Sequence, residues 1–122
     1  MIALLKVLFG VSGPHVGPRE AVQRMNCGAA LVDVREPGEF AAGHAEGAIP
    51  LPLGRIRARG VEAIEALGLP AGTSEILLVC RSGMRSRLAQ GALSKDPQRR
   101  YVNVDGGMAA WAASGLPVVR GQ

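Results

Sequence analysis

The sequence predicts an α/β domain in which a mainly parallel sheet is covered by helices. Short apolar runs alternate with helix-like segments along most of the chain, the pattern of a parallel sheet with crossover helices. One run, Ile76-Leu77-Leu78-Val79, is continuously apolar, as expected of a central strand buried on both faces. Of the 122 residues 48% are hydrophobic but only 3% are aromatic, and 17 are glycine. A single core built from Ala, Leu, Val and Ile, closed by many tight turns, follows from that balance.

Met1 to Gly17 is expected to be an apolar segment and linker, with the domain proper over 18–122. Ile2 to Phe9 is far shorter than the roughly 20 apolar residues that span a bilayer. It also lacks a basic start and a small-residue cleavage site, so it is read neither as a transmembrane span nor as a signal peptide. Leu4, Leu5, Leu8 and Phe9 could share a helical face for docking on the domain, for self-association or for a membrane surface. Gly10 to Gly17, with three glycines and Pro14, reads as a connection.

Pro18 suits the first position of a helix running to about Cys27, with Glu20 in its acidic first turn. Ala30 to Val34 is a strand, closed by the turn around Pro37-Gly38. A short helical piece near Glu39 to Ala42 precedes a turn marked by Gly43 and Gly47. Ala48 to Leu51 is a brief strand whose pairing is limited by Pro50 and Pro52. Arg55, Arg57 and Arg59 form a basic stretch, either a solvated face or a means of steering small anions. Val61, Ile64 and Leu67 share one face of a helix that ends at Gly68. After the central strand a helix is expected from about Arg85 to Leu93, where Leu88 and Ala92, and Ala89 and Leu93, repeat at four-residue spacing. Tyr101 to Val104 makes another strand, Asp105-Gly106-Gly107 a turn, and Met108 to Ala113 a last helix carrying Trp111.

Cys80 is the principal candidate functional residue. It ends the central strand and opens the turn Cys80-Arg81-Ser82-Gly83-Met84-Arg85-Ser86, which leads into a helix. The first N–H groups of a helix lack intrahelical partners and point outward, so a thiolate is stabilised there. Arg81, Arg85 and Arg87 crowd the same turn, an unfavourable cluster unless something negative, such as the Cys80 thiolate, is held among them. An ordinary thiol of pKa about 8.5 is only about 3% ionised at pH 7, and lowering that pKa to about 6.5 ionises roughly three quarters. The bland alternative is a small buried hydrophobe, which needs neither the glycine turn nor the arginines.

Cys27 is read as packing, and the two cysteines, far apart in sequence, form no Cys-x-x-Cys pair. A reducing compartment, and hence a cytoplasmic location, is expected. With only His15 and His44 and no metal-ligand spacing, no metal is expected. The net charge of +4 is not accompanied by aromatics interleaved with the basic residues, so nucleic-acid binding is discounted.

Four segments together resemble the rhodanese-like sulfurtransferases over nearly all of Pro18 to Pro117. They are Leu31 to Phe40, Gly43-His44-Ala45-Glu46-Gly47-Ala48, Cys80 to Ser86, and Asp105-Gly106-Gly107-Met108-Ala109-Ala110-Trp111. Ala45 stands where the family commonly has a larger apolar residue. The resemblance implies a three-layer α/β/α fold with a central, mainly parallel five-stranded sheet, in the single-domain form. It also implies that Cys80 is a nucleophile holding a persulfide. Arg81, Ser82, Gly83, Met84, Arg85 and Ser86 would form the substrate-binding loop, with backbone N–H groups facing the sulfur and Arg81 and Arg85 orienting an anionic sulfur donor. Asp33, Arg35 and His44 lie in segments taken as structural support, and Asp105 to Gly107 forms either a pocket rim or a plain turn.

The implied reaction takes a sulfane sulfur from thiosulfate or a related anion to cyanide, a thiol or a carrier protein, with no external cofactor. Two other classes stay open. A non-catalytic rhodanese-like binding module would bind a partner without forming an adduct on Cys80. A phosphatase or arsenate reductase would use Cys-x5-Arg, which places Arg at position 86, whereas Arg85 and then Ser86 stand here.

Overall fold

The structure, a computed structural model, describes residues 13–121. The apolar start at Ile2 to Phe9 lies outside the described residues. Among the described residues, seven strands and six helices occur in the order β1 (His15–Val16), α1 (Pro18–Asn26), β2 (Ala30–Asp33), α2 (Pro37–Ala42), β3 (His44–Ala45), β4 (Ile49–Pro50), α3 (Leu53–Arg59), α4 (Val61–Glu65), β5 (Glu75–Val79), α5 (Met84–Ala92), β6 (Arg100–Val104), α6 (Gly107–Ala113) and β7 (Val118–Val119). Five strands form one sheet in the order β1-β6-β5-β2-β4, and every pairing in it is parallel. The run Ile76 to Val79 is therefore central, as its uninterrupted apolar character predicts.

Alternation along β2 and β5 divides the core between two faces. Val32, Ile76 and Leu78 point to one face and pack with Ile56 of α3, Ile64 of α4, and Ala89 and Leu93 at α5. Leu31, Leu77 and Val79 point to the other, against Ala21 of α1 and Met108 and Trp111 of α6. Cys80, the residue after β5, falls on the α3–α5 face. These two layers and the sheet make the expected α/β/α sandwich.

Three local features differ from expectation. His15 and Val16, assigned to the linker, form an edge strand in register with Asn103 and Val104 of β6. The sheet thus begins before position 18. Flanking Gly13, Pro14 and Gly17 hide this strand, because only two residues are needed to extend an edge. Arg55, Arg57 and Arg59 lie on α3, where Ile56 alone is buried. A single buried position leaves no helical period to detect. The Gly43–Gly47 turn contains β3, which pairs antiparallel with β7 as a separate two-stranded ribbon, His44 opposite Val119 and Ala45 opposite Val118. Ala45 is fully buried there.

Candidate active site

Cys80 sits at the carboxyl end of β5 and is only 1% exposed. The chain then turns through Arg81 and Ser82 to Gly83, whose φ of 107° lies in the left-handed region, where glycine is favoured. This turn directs the Gly83 N–H at the Cys80 sulfur, 3.0 Å away, and Gly83 serves as the N-cap of α5. One turn later the Ser86 hydroxyl approaches the same sulfur at 3.5 Å. Burial pushes the thiol up, but the Ser86 hydroxyl and the backbone N–H groups of Ser86, Gly83 and Ser82 outweigh it, and the net direction is downward.

The loop's carbonyls are held on the opposite side by α6. Met108 N–H donates to the Cys80 carbonyl at 2.7 Å and Ala109 N–H to the Arg81 carbonyl at 3.0 Å. Gly107 makes this approach possible. Its φ is 55°, and a Cβ there would lie 2.3 Å from the Cys80 carbonyl oxygen and 2.7 Å from the Arg81 carbonyl carbon. The first turn of α6 therefore fixes the peptides whose successors present N–H groups to the sulfur, and Asp105 to Gly107 is more than a plain turn. Asn103, on β6 and 2% exposed, accepts a short hydrogen bond from the Ser86 hydroxyl.

The arginines are distributed differently from the collar expected around the thiolate. Arg85 makes a bidentate pair with Glu39 of α2, at 2.6 and 2.9 Å. The Arg85 hydrogen bonds, against a smaller effect of burial, hold the Glu39 carboxyl down to about 2. Arg85 still experiences the charge of Cys80, but its first partner is Glu39. Arg81 and Arg87 are exposed and make no ion pair among the described residues. Hydrogen-bond donors of the loop, rather than guanidinium groups, touch the sulfur. Ser82 and Met84 are exposed at the loop rim, Met84 at 67%.

Asp33, Arg35 and His44 form a supporting layer. Asp33, fully buried, accepts from the Arg35 backbone N–H at 3.0 Å and from its guanidinium at 2.7 Å. Arg35 also donates to the Gly43 carbonyl at 2.7 Å, tying the end of β2 to the turn before β3. His44 donates from Nδ1 to the Phe40 carbonyl at 2.8 Å and stacks on the Phe40 ring at 3.7 Å. Their contacts brace the α2 region from which Glu39 reaches Arg85.

Glu39 and Asn103 are site residues that sequence reasoning left out of the site, and Gly107 entered there only as part of a pocket rim or a plain turn. Asn103 had a detectable signal, a lone amide inside an apolar strand. Glu39 and Gly107 lie within the quoted segments, but only the spatial approach of α2 and α6 gives them their contacts.

Comparison with known proteins agrees with this fold. The chain matches the Rhodanese-like domain family over residues 17–114. A sulfurtransferase of Allochromatium vinosum is 38% identical over 89 residues, 73% of this chain and 77% of that protein. Thiosulfate sulfurtransferase 16, chloroplastic, of Arabidopsis thaliana is 37% identical over 95 residues, 74% of this chain and 79% of that protein. The crystal structure of a thiosulfate sulfurtransferase from Pseudomonas aeruginosa superposes with a TM-score of 0.77 at 23% identity, covering 90% of this chain and 20% of that one. With an all-parallel five-stranded sheet and a cysteine loop at its carboxyl edge, the chain belongs to the rhodanese-like domain family.

Proposed function

We propose that this protein is a sulfurtransferase that carries a sulfane sulfur on Cys80 from thiosulfate or a related anionic donor to a thiophilic acceptor. The observation that carries this reading is the Cys80 sulfur held among the Gly83 N–H, the Ser86 hydroxyl and further loop N–H groups. The sulfurtransferase names of the two relatives support the same reaction class.

In the first half-reaction the Cys80 thiolate attacks the outer sulfur of thiosulfate. An Sγ–S bond forms, the S–S bond of thiosulfate breaks, and its electron pair leaves with sulfite. The charge is conserved: a thiolate and a dianion become a persulfide anion and a dianion. In the second half-reaction cyanide or a thiolate attacks the outer persulfide sulfur, and the electron pair of the Sγ–S bond returns to Cys80. Storing the sulfur covalently divides one transfer into two displacements, each leaving an anion that the loop dipoles stabilise without reorganising. Arg81, exposed at the rim, meets the incoming anion. Arg85 fixes the loop against Glu39 and adds a positive field at the sulfur.

Steady-state kinetics with thiosulfate and cyanide test the reading. Parallel double-reciprocal lines are expected, together with loss of turnover in Cys80→Ser and retention in Cys27→Ser. Turnover surviving in Cys80→Ser, or lines intersecting at a point, contradicts it.

A further inference from the structure

The face formed by α3 and α5 combines two properties that a solvated surface does not need. The two helices pack side by side over the sheet. Between them they carry five arginines without a single Asp or Glu: Arg55 and Arg59 line a groove with Pro37, Leu51 and Ala63 on the far side of α3, which leaves Arg57 on its other flank and Arg85 and Arg87 on α5. Only Arg85 among these has an ion-pair partner within the described residues, and that partner comes from α2. Met84 and Leu88, one helical turn apart on α5, are 67% and 47% exposed. They are two of the three large exposed hydrophobic residues among those described. An apolar pair flanking Arg87, which is unpaired among the described residues, beside the reactive loop and next to the helix that carries Arg57, has the anatomy of a docking site with a small apolar centre and a charged rim.

Burial of Cys80 restricts what can dock there productively. At 1% exposure the cysteine lies too deep for a flat protein face, so an acceptor must insert a slender group. We infer that the α3–α5 face docks an acidic protein that presents a cysteine thiol, on a loop or chain end, to the Cys80 persulfide. The inference rests on the proposed sulfur transfer and specifies its acceptor. Acidic side chains of the partner complement Arg57 and Arg87, while one of its apolar residues covers Met84 and Leu88. A nucleic acid fits less well, because this face carries no aromatic side chain for base stacking and its exposed centre is aliphatic.

Three synthetic peptides of equal length, each ending in cysteine, test the surface: one acidic with a single leucine, one acidic without it, and one basic with the leucine. In the binding arm cysteine is replaced by serine and a fluorophore reports anisotropy, so no sulfur chemistry is involved. The acidic, leucine-containing peptide is expected to bind most tightly and to weaken with added salt. Arg57→Glu and Leu88→Asp should each weaken it, and neither should change turnover with thiosulfate and 2-mercaptoethanol. In the transfer arm the cysteine peptides react with the persulfide form, and the acidic one should be faster than the basic one by about tenfold or more at low salt. Equal binding of the acidic and basic peptides, or insensitivity to both substitutions, overturns the docking surface. Tighter binding of a single-stranded oligonucleotide than of the acidic peptide overturns it as well. Failure of thiosulfate to load Cys80 while the acidic peptide still binds selectively defeats the sulfur-transfer reading and leaves the surface standing.

Discussion

Ser86 has one hydroxyl proton and three neighbours that can accept it: the Cys80 sulfur, the Gly83 carbonyl and the Asn103 side-chain oxygen. With a protonated thiol, Cys80 donates to Ser86 and Ser86 donates onward to Asn103 or Gly83. With a thiolate, the serine proton turns to the sulfur and away from the Gly83 carbonyl and the Asn103 side-chain oxygen. A hydrogen bond to a charged group is worth about 1.5–3 kcal/mol, and about 1.4 kcal/mol is a factor of ten. Ser86→Ala should therefore slow iodoacetamide alkylation of Cys80 near neutral pH by about tenfold or more, with the pH dependence displaced upward. An unchanged alkylation profile would show that the loop N–H groups suffice without the hydroxyl. Sequence alone makes Cys80 and its loop the candidate site, because a cysteine at a strand end followed by a glycine turn has few structural uses. It does not reveal the Ser86–Asn103 contact, which joins α5 to β6 across the sheet.

At the scale of elements, the loop's shape depends on α6. Gly107 stands where any Cβ would collide with the Cys80 and Arg81 backbone, which no side-chain rotation relieves. Gly107→Ala must either displace α6 or distort the loop, and it adds the cost of a left-handed φ on a residue with a Cβ. A loss of about 2–3 kcal/mol in urea unfolding is expected, with loss of turnover even where the variant remains folded. Wild-type stability and activity together would contradict this role for α6.

The elements legible in the sequence are those with several buried positions. β5 is a continuous apolar run, and α1 and α5 carry capping or spacing signals. Of the two-residue strands, β4 lies within the brief run anticipated at Ala48 to Leu51, whereas β1, β3 and β7 gain their identity only by pairing with distant partners. α3 is similarly hidden, since its arginines give no period and its helix is stabilised through Ile56 beneath it.

Across the whole molecule, the sheet assembles a site from segments far apart in sequence, and ion pairing connects them. Glu39 on α2 and Arg85 on α5 join the two helices flanking the loop. The folded-state carboxyl is lowered to about 2, so the pair's contribution is complete above the ordinary carboxylate pKa and is lost as pH falls through the folded value. Because both side chains are about one-third exposed, the contribution should be at most about 1 kcal/mol. The stability difference between wild type and Glu39→Gln should be constant above about pH 5 and shrink as pH falls toward 2. A difference that persists undiminished at low pH would assign Glu39 some role other than this ion pair. The arginine-rich stretch was visible in the sequence, whereas its lateral packing with α5 and the exposed Met84–Leu88 pair emerge only from the assembled fold.

Whether Cys80 carries sulfur is decided by intact-mass analysis after brief treatment with thiosulfate alone, followed by peptide mapping. A gain of one sulfur atom is expected, located on Cys80, removed by cyanide and absent from Cys80→Ser. A protein that gains no sulfur under these conditions, or gains it on Cys27, would contradict sulfur transfer through Cys80.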